Sequence, residues 1–176
     1  MSKAVMLSIQ PRWCELIAAG EKTMEVRKTR PKIETPFKCY IYQTLPKSGD
    51  WNERDGRVIG EFVCDQVIRL AQIGYTGIGG EPVYKLADYD NFGHPIEPIL
   101  KEACLRENEL EMYLHGKVGL GWHISDLRIY DEPVDITNFR NCNGCEYMVT
   151  AIPTAGNQCS VRRRAGVMWR SICDEQ

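Results

Sequence analysis

"LSIQPRWCELIAAGEKTMEVR", residues 7–27, changes its apolar period twice within one short stretch. Ala4 to Ile9 alternates and is β-prone, which predicts a first strand. Pro11 suits the first turn of a helix, where a missing backbone N–H costs nothing. Trp13, Leu16 and Ile17 follow at helical spacing and give that helix an apolar face. Gly20 stands just past the last periodic residue, the position of a helix stop. Thr23 to Arg27 then returns to a period of two. Thr23, Glu25 and Arg27 are expected on one face of this short strand, and Met24 and Val26 in the core. Lys22 lies at the mouth of the strand, so a carboxylate is lodged between two cations.

The stretches on either side extend the pattern. Phe37 to Gln43 alternates and reads as a strand. Arg57 to Arg69 reads as one long strand interrupted by Gly60, where a bulge or a close backbone approach is expected. The glycine-rich residues 73–82 read as a loop that matches neither a Rossmann fingerprint nor a P-loop. Glu97 to Leu114 reads as one or two helices, with Leu110, Tyr113 and Leu114 on the apolar face of the second. Gly116 to Gly121 reads as a turn. Trp122 to Tyr130 reads as a strand with a slip in register, and Val167 to Ile172 as a last strand. The order of elements lacks the regular alternation of a doubly wound parallel sheet.

The 176 residues carry a net charge of −2, which excludes a uniformly basic nucleic-acid coat. Positive charge is instead concentrated, with Lys22, Arg27, Lys28, Arg30 and Lys32 set against Glu21 and Glu25. No apolar run approaches the length of a membrane span, and the amino terminus lacks a signal-peptide pattern. A cytoplasmic protein is expected. Its eight cysteines then read as thiols or metal ligands rather than disulfides. Cys142, Cys145, Cys159 and Cys173 include one CxxC knuckle and suggest a structural zinc, with free thiols as the alternative. The composition changes beyond Phe139. Residues 1–139 are therefore expected to form the main domain, and 140–176 a Cys/Arg-rich extension that adds a final strand.

Leu7-Ser8-Ile9-Gln10-Pro11 with Trp13, followed by Gly20, Lys22, Glu25 and Arg27, resembles the ASCH domain family and its Gly-x-Lys-x-x-Glu-x-Arg signature. The segments around Gly60 and Glu61 and around Trp122 to Leu127 are similar to later strands of that family. The resemblance implies an α+β, PUA-like small mixed β-barrel with helices packed against it. It also implies binding of RNA, another single-stranded nucleic acid or a modified nucleotide in a cleft lined by the signature. Some short members hydrolyse N4-acylated cytidines. At the position of their threonine nucleophile this sequence has Glu25, with Thr23 nearby, and Glu102 is the nearest match to their catalytic glutamate.

The residue chemistry supports binding first. Glu25 stabilises the charged form of Lys22, so an ammonium ion with a raised pKa is expected, whereas a catalytic amine needs the opposite shift. Lys22 and Arg27 then suit phosphate or a base edge, Glu25 suits a cytosine amino group, and Lys28 and Arg30 extend the strip. Three functions remain in view. They are nucleic-acid binding through Lys22, Glu25, Arg27, Lys28 and Arg30; amidohydrolysis through Lys22, Glu25 or Thr23, and Glu102; and a protein adaptor with a zinc-stabilised C-terminal segment. A purely structural salt bridge at Glu25 is the fourth possibility. Tyr40, Tyr42 and Trp51 are candidate stacking aromatics, although Tyr40 and Tyr42 fit a core face better.

Overall fold

Pro11 does start a helix and Gly20 does stop it. In the computed structural model, α1 spans Pro11–Ala19, and Gly20 takes the left-handed conformation with φ 72°. The Gly20 and Glu21 N–H groups donate to the carbonyls of Ile17 and Leu16 at 2.9 Å, satisfying two orphan acceptors of the last turn. The structure describes residues 4–46, 49–50, 52–76, 82–88, 96–141, 148–151 and 161–162. The expected last strand at 167–172 lies outside them.

The architecture is α+β, as expected, and the chain divides into two units. The first comprises residues 1–21, 31–65 and 124–176. Its strands are β1 (Ala4–Ile9), β3 (Phe37–Gln43), β4 (Arg57–Cys64), β8 (Ser125–Asp135), β9 (Phe139–Asn141), β10 (Met148–Ala151) and β11 (Val161–Arg162). They form a seven-stranded sheet in the order β11-β8-β4-β3-β1-β10-β9. Among the described residues β1 and β3 are the parallel pair, with α1 between them in the chain. Tyr40, Val58 and Tyr130 are buried together on this sheet, with Tyr42 and Phe139 packed against them. Tyr40 meets Phe139 edge-on at 4.8 Å, so Tyr40 and Tyr42 belong to a core face.

The second unit comprises residues 22–30 and 66–123. Its strands are β2 (Met24–Arg27), β5 (Val67–Thr76), β6 (Pro82–Asp88) and β7 (Gly119–His123), in the order β2-β7-β5-β6. Its helices are α2 (Glu97–Ala103) and α3 (Glu107–Leu114). Met24, Val26, Leu70, Ile99, Leu110 and Leu114 make its apolar core. Full burial of a leucine such as Leu110 is worth about 1.5–3 kcal/mol. Neither sheet closes on itself in the pairing among the described residues.

Several expectations are corrected. Arg57 to Arg69 is two strands, because the chain leaves one sheet after Cys64 and enters the other at Val67. Trp122 to Tyr130 divides in the same way between β7 and β8. Residues 73–76 lie in β5 and pair with β6, so the expected loop begins as a hairpin strand. Gly119 and Gly121 lie in β7 rather than in a turn. The bulge near Gly60 is present, with register shifts between Val58 and Gly60 in the pairing to both neighbours. A Cβ at Gly60 would meet the Arg128 carbonyl at 2.5 Å, so the close backbone approach excludes a side chain.

Candidate functional site

The alternation of β2 sorts its side chains. Met24 and Val26 enter the core of the second unit, which turns Glu25 and Arg27 to the other face. β2 is held by β7, with Glu25 opposite Trp122 and Arg27 opposite Leu120. The residues preceding β2 are tied to the end of α2. The Thr23 N–H donates to the Glu102 carbonyl at 2.8 Å, and Lys22 Nζ donates to the Ala103 carbonyl at 2.7 Å. The last carbonyls of a helix have no partner within it, and a lysine ammonium suits both their geometry and their partial charge.

Glu25 joins the two cations as the alternation predicts. Its Oε2 lies 3.5 Å from Lys22 Nζ, and its Oε1 lies 3.3 Å from Arg27 Nε. Burial within the trio is uneven. Lys22 is 3% exposed and Glu25 8%, whereas the Arg27 side chain is 24% exposed. Lys22 is therefore an interior anchor, not the surface cation expected of it.

That burial reverses the expected protonation tendency of Lys22. Desolvation lowers its pKa below the ordinary 10.5, and the charge and hydrogen bond of Glu25 raise it without restoring that value. A neighbouring Cys104 also raises it and Arg27 lowers it. The expectation weighed the Coulombic partner alone; removal from water is the larger effect here.

Lys28 and Arg30 follow on the exposed surface. Lys28 Nζ stands 4.5 Å from the centre of the Tyr113 ring. Tyr113 also senses Arg27 and Glu25 electrostatically, although burial is the main cause that lifts its hydroxyl above its ordinary 10.0. Sequence reasoning placed Tyr113 in the core stripe of α3. Leu110 and Leu114 suffice for that stripe, and Tyr113 is 41% exposed. The signal that would have found it is its place at the edge of a stripe already filled by two leucines. Cys104, which follows α2 in a left-handed conformation with φ 53°, was missed for want of any local signature.

Glu102 lies on α2, where its backbone carbonyl serves Thr23. Trp51, Cys142, Cys145, Cys159 and Cys173 lie outside the described residues. Among the described residues, no three His, Cys, Asp or Glu side chains form a group able to hold a metal ion. Cys14, Cys39 and Cys64 are buried and form no disulfide among the described residues. No helix among the described residues is long and apolar enough to cross a membrane.

With the fold and the trio in place, comparison with solved structures is informative. An ASCH protein from Zymomonas mobilis aligns with TM-score 0.52 and 17% identity over 85% of this chain and 87% of its own. A tyrosine-to-phenylalanine variant of that protein aligns with TM-score 0.53 and 16% identity, over 86% of this chain and 91% of its own. A serine-to-alanine variant gives 0.53 and 16%, over 85% and 88%. This chain has the ASCH fold. At this identity the likeness concerns the fold alone. No family model matches the sequence, and no curated protein matches it. In this ASCH fold the Gly-x-Lys-x-x-Glu-x-Arg stretch supplies the Lys22–Glu25–Arg27 trio, with Lys22 and Glu25 buried and Arg27 partly exposed.

Proposed function

We propose that this ASCH-fold chain binds single-stranded nucleic acid, RNA foremost, through the surface that begins at Glu25 and Arg27. The observation that carries the reading is a carboxylate fixed between two cations, followed directly by the exposed cations Lys28 and Arg30. Arg27, Lys28 and Arg30 would take phosphates, which position a strand without reading it. Glu25 would accept a hydrogen bond from an exocyclic amino group, the contact by which a carboxylate recognises cytosine. Lys22 would act from beneath, holding Glu25 in place against the end of α2. The test is a titration of labelled single-stranded RNA and DNA at several salt concentrations, with wild type and an Arg27→Ala/Lys28→Ala variant. Binding that weakens as salt rises, with a slope about 1.4 units shallower in the double variant, is expected for two lost phosphate contacts. Wild-type binding with the same salt slope in both proteins would refute the assignment of these residues.

One observation favours a second reading, an amidohydrolase acting on an N4-acylated cytidine. A lysine whose pKa is lowered by burial has the property that a basic or nucleophilic amine requires. Turnover of N4-acetylcytidine that disappears in Lys22→Met would support it. Absence of turnover by the wild type removes it.

A further inference from the structure

We propose that Tyr113 is the base-stacking residue of this surface, so that its ligand class is a single-stranded nucleic acid with an unstacked base. The inference rests on the nucleic-acid reading above and adds the part of the ligand that the cations cannot recognise.

Tyr113 is more exposed than an anchor of α3 needs to be. Leu110 and Leu114 fasten the helix, at 0% and 2% exposure, while Tyr113 keeps 41% of its surface in water. Met112, on the same helix, is also exposed, so this end of the helix presents apolar surface to solvent. The Tyr113 ring is tied to the basic run, because Lys28 Nζ lies 4.5 Å from its centre. Cations over ring faces are weakly attracted at exposed sites, by about 0.5–1 kcal/mol, so a competing partner can replace this one. Glu25 and Arg27 pair at 3.3 Å and Lys28 follows Arg27 directly, so the carboxylate, the cations and the ring share one neighbourhood.

Each of these three chemistries matches one part of a nucleotide. Cations take the phosphate, the carboxylate accepts from an amino group, and an aromatic face stacks on the flat base. Within a duplex, base faces are already stacked on one another, so only an unpaired strand can use the ring. On binding, a base takes the place of the Lys28 ammonium over Tyr113, and Lys28 moves to a phosphate. An acidic peptide would satisfy the cations but leave the ring unused.

The experiment measures fluorescence anisotropy with a labelled ten-nucleotide oligocytidylate RNA, the corresponding duplex, and oligoglutamate as competitor. The proteins are wild type, Tyr113→Ala, Tyr113→Leu, Tyr113→Phe and Arg27→Ala/Lys28→Ala, each checked for folding by circular dichroism. Tyr113→Ala and Tyr113→Leu are expected to weaken single-strand binding roughly 5- to 100-fold without changing the salt slope. Tyr113→Phe, which keeps the ring, is expected to bind as wild type does, and the duplex to bind all the Tyr113 variants equally. Tyr113→Leu keeps apolar bulk, so it decides the matter if the alanine variant does not fold. Single-strand binding within about twofold of wild type in Tyr113→Leu, with loss in the double cation variant, overturns this inference and leaves the nucleic-acid reading standing. Wild type without affinity for the RNA overturns both. Oligoglutamate bound as tightly as the RNA also overturns the inference, since the surface would then be reading charge alone.

Discussion

Among the described residues, Glu25 and Glu61 each sit between two cations, one in each unit. Glu25 lies between Lys22 and Arg27, and Glu61 lies between Lys38 and Arg128. Lys38 Nζ reaches Glu61 Oε2 at 2.8 Å, closer than the contact of Lys22 with Glu25, and the Tyr130 hydroxyl donates to the same oxygen at 2.7 Å. Arg128 Nη1 stands farther off, 4.0 Å from Glu61 Oε1, so only the lysine contact is the shorter in the Glu61 cluster. The side chains of Lys38 and Arg128 are nevertheless 39% and 51% exposed, against 3% and 24% for Lys22 and Arg27. Water screens the Glu61 cluster and is largely withheld from Lys22 and Glu25. The comparison teaches that burial, more than contact distance, sets what each charge costs and what removing a partner does.

The largest expected effect follows from breaking the buried member. Lys22→Ala should cost about 3–5 kcal/mol, because it leaves the Glu25 carboxylate buried with one cation fewer and removes the donor to Ala103. Urea denaturation measures it, and the double variant Lys22→Met/Glu25→Gln should recover part of the loss by removing both charges. A cost below about 1 kcal/mol would make the two clusters equivalent and end the distinction.

A backbone change tests the other cluster. Gly60→Ala, next to Glu61, should destabilise by about 1–3 kcal/mol, since its new Cβ meets a fixed carbonyl oxygen. Gly121→Ala meets Met24 Sδ at 2.6 Å instead, and a flexible thioether can turn aside, so the smaller loss is expected there. Equal thermal shifts in the two variants would contradict this ordering.

Protonation sharpens the contrast further. Burial holds Lys22 below its ordinary 10.5, so the folded protein releases that proton at lower pH than the unfolded chain does. Between the two values the unfolded chain binds more protons, and stability therefore rises with pH. Tyr113 acts in the opposite sense above 10.0, because its folded-state value is raised. Thermal melts across the alkaline range below 10.0 should show a Lys22 contribution that rises with pH and is absent in Lys22→Met. An identical pH profile in the variant would remove burial as the controlling effect. The smallest effect belongs to Lys38→Ala, about 0–1 kcal/mol in spite of its short contact, reduced further by added salt.

Part of this was legible from local signals. The ends of α1 follow from Pro11 and Gly20, and β3 from the alternation of Phe37 to Gln43, because both depend on neighbours in the chain. The two long extended runs were misread for one shared reason. An extended backbone looks alike in either sheet, so no local period marks where the chain passes from β4 to β5 or from β7 to β8. The same limit hid Tyr113, whose spacing fits the core stripe of α3 although its exposure does not.

The sequence by itself determined the α+β class, the order of the early elements and the adjacency of Lys22, Glu25 and Arg27. These rest on spacing along a single strand or helix. Only the tertiary structure decided that the end of α2 receives Lys22, that Lys22 is buried while Lys38 is not, and that Tyr113 meets Lys28. Those outcomes depend on desolvation and on partners distant in the chain, which the local pattern of residues does not encode.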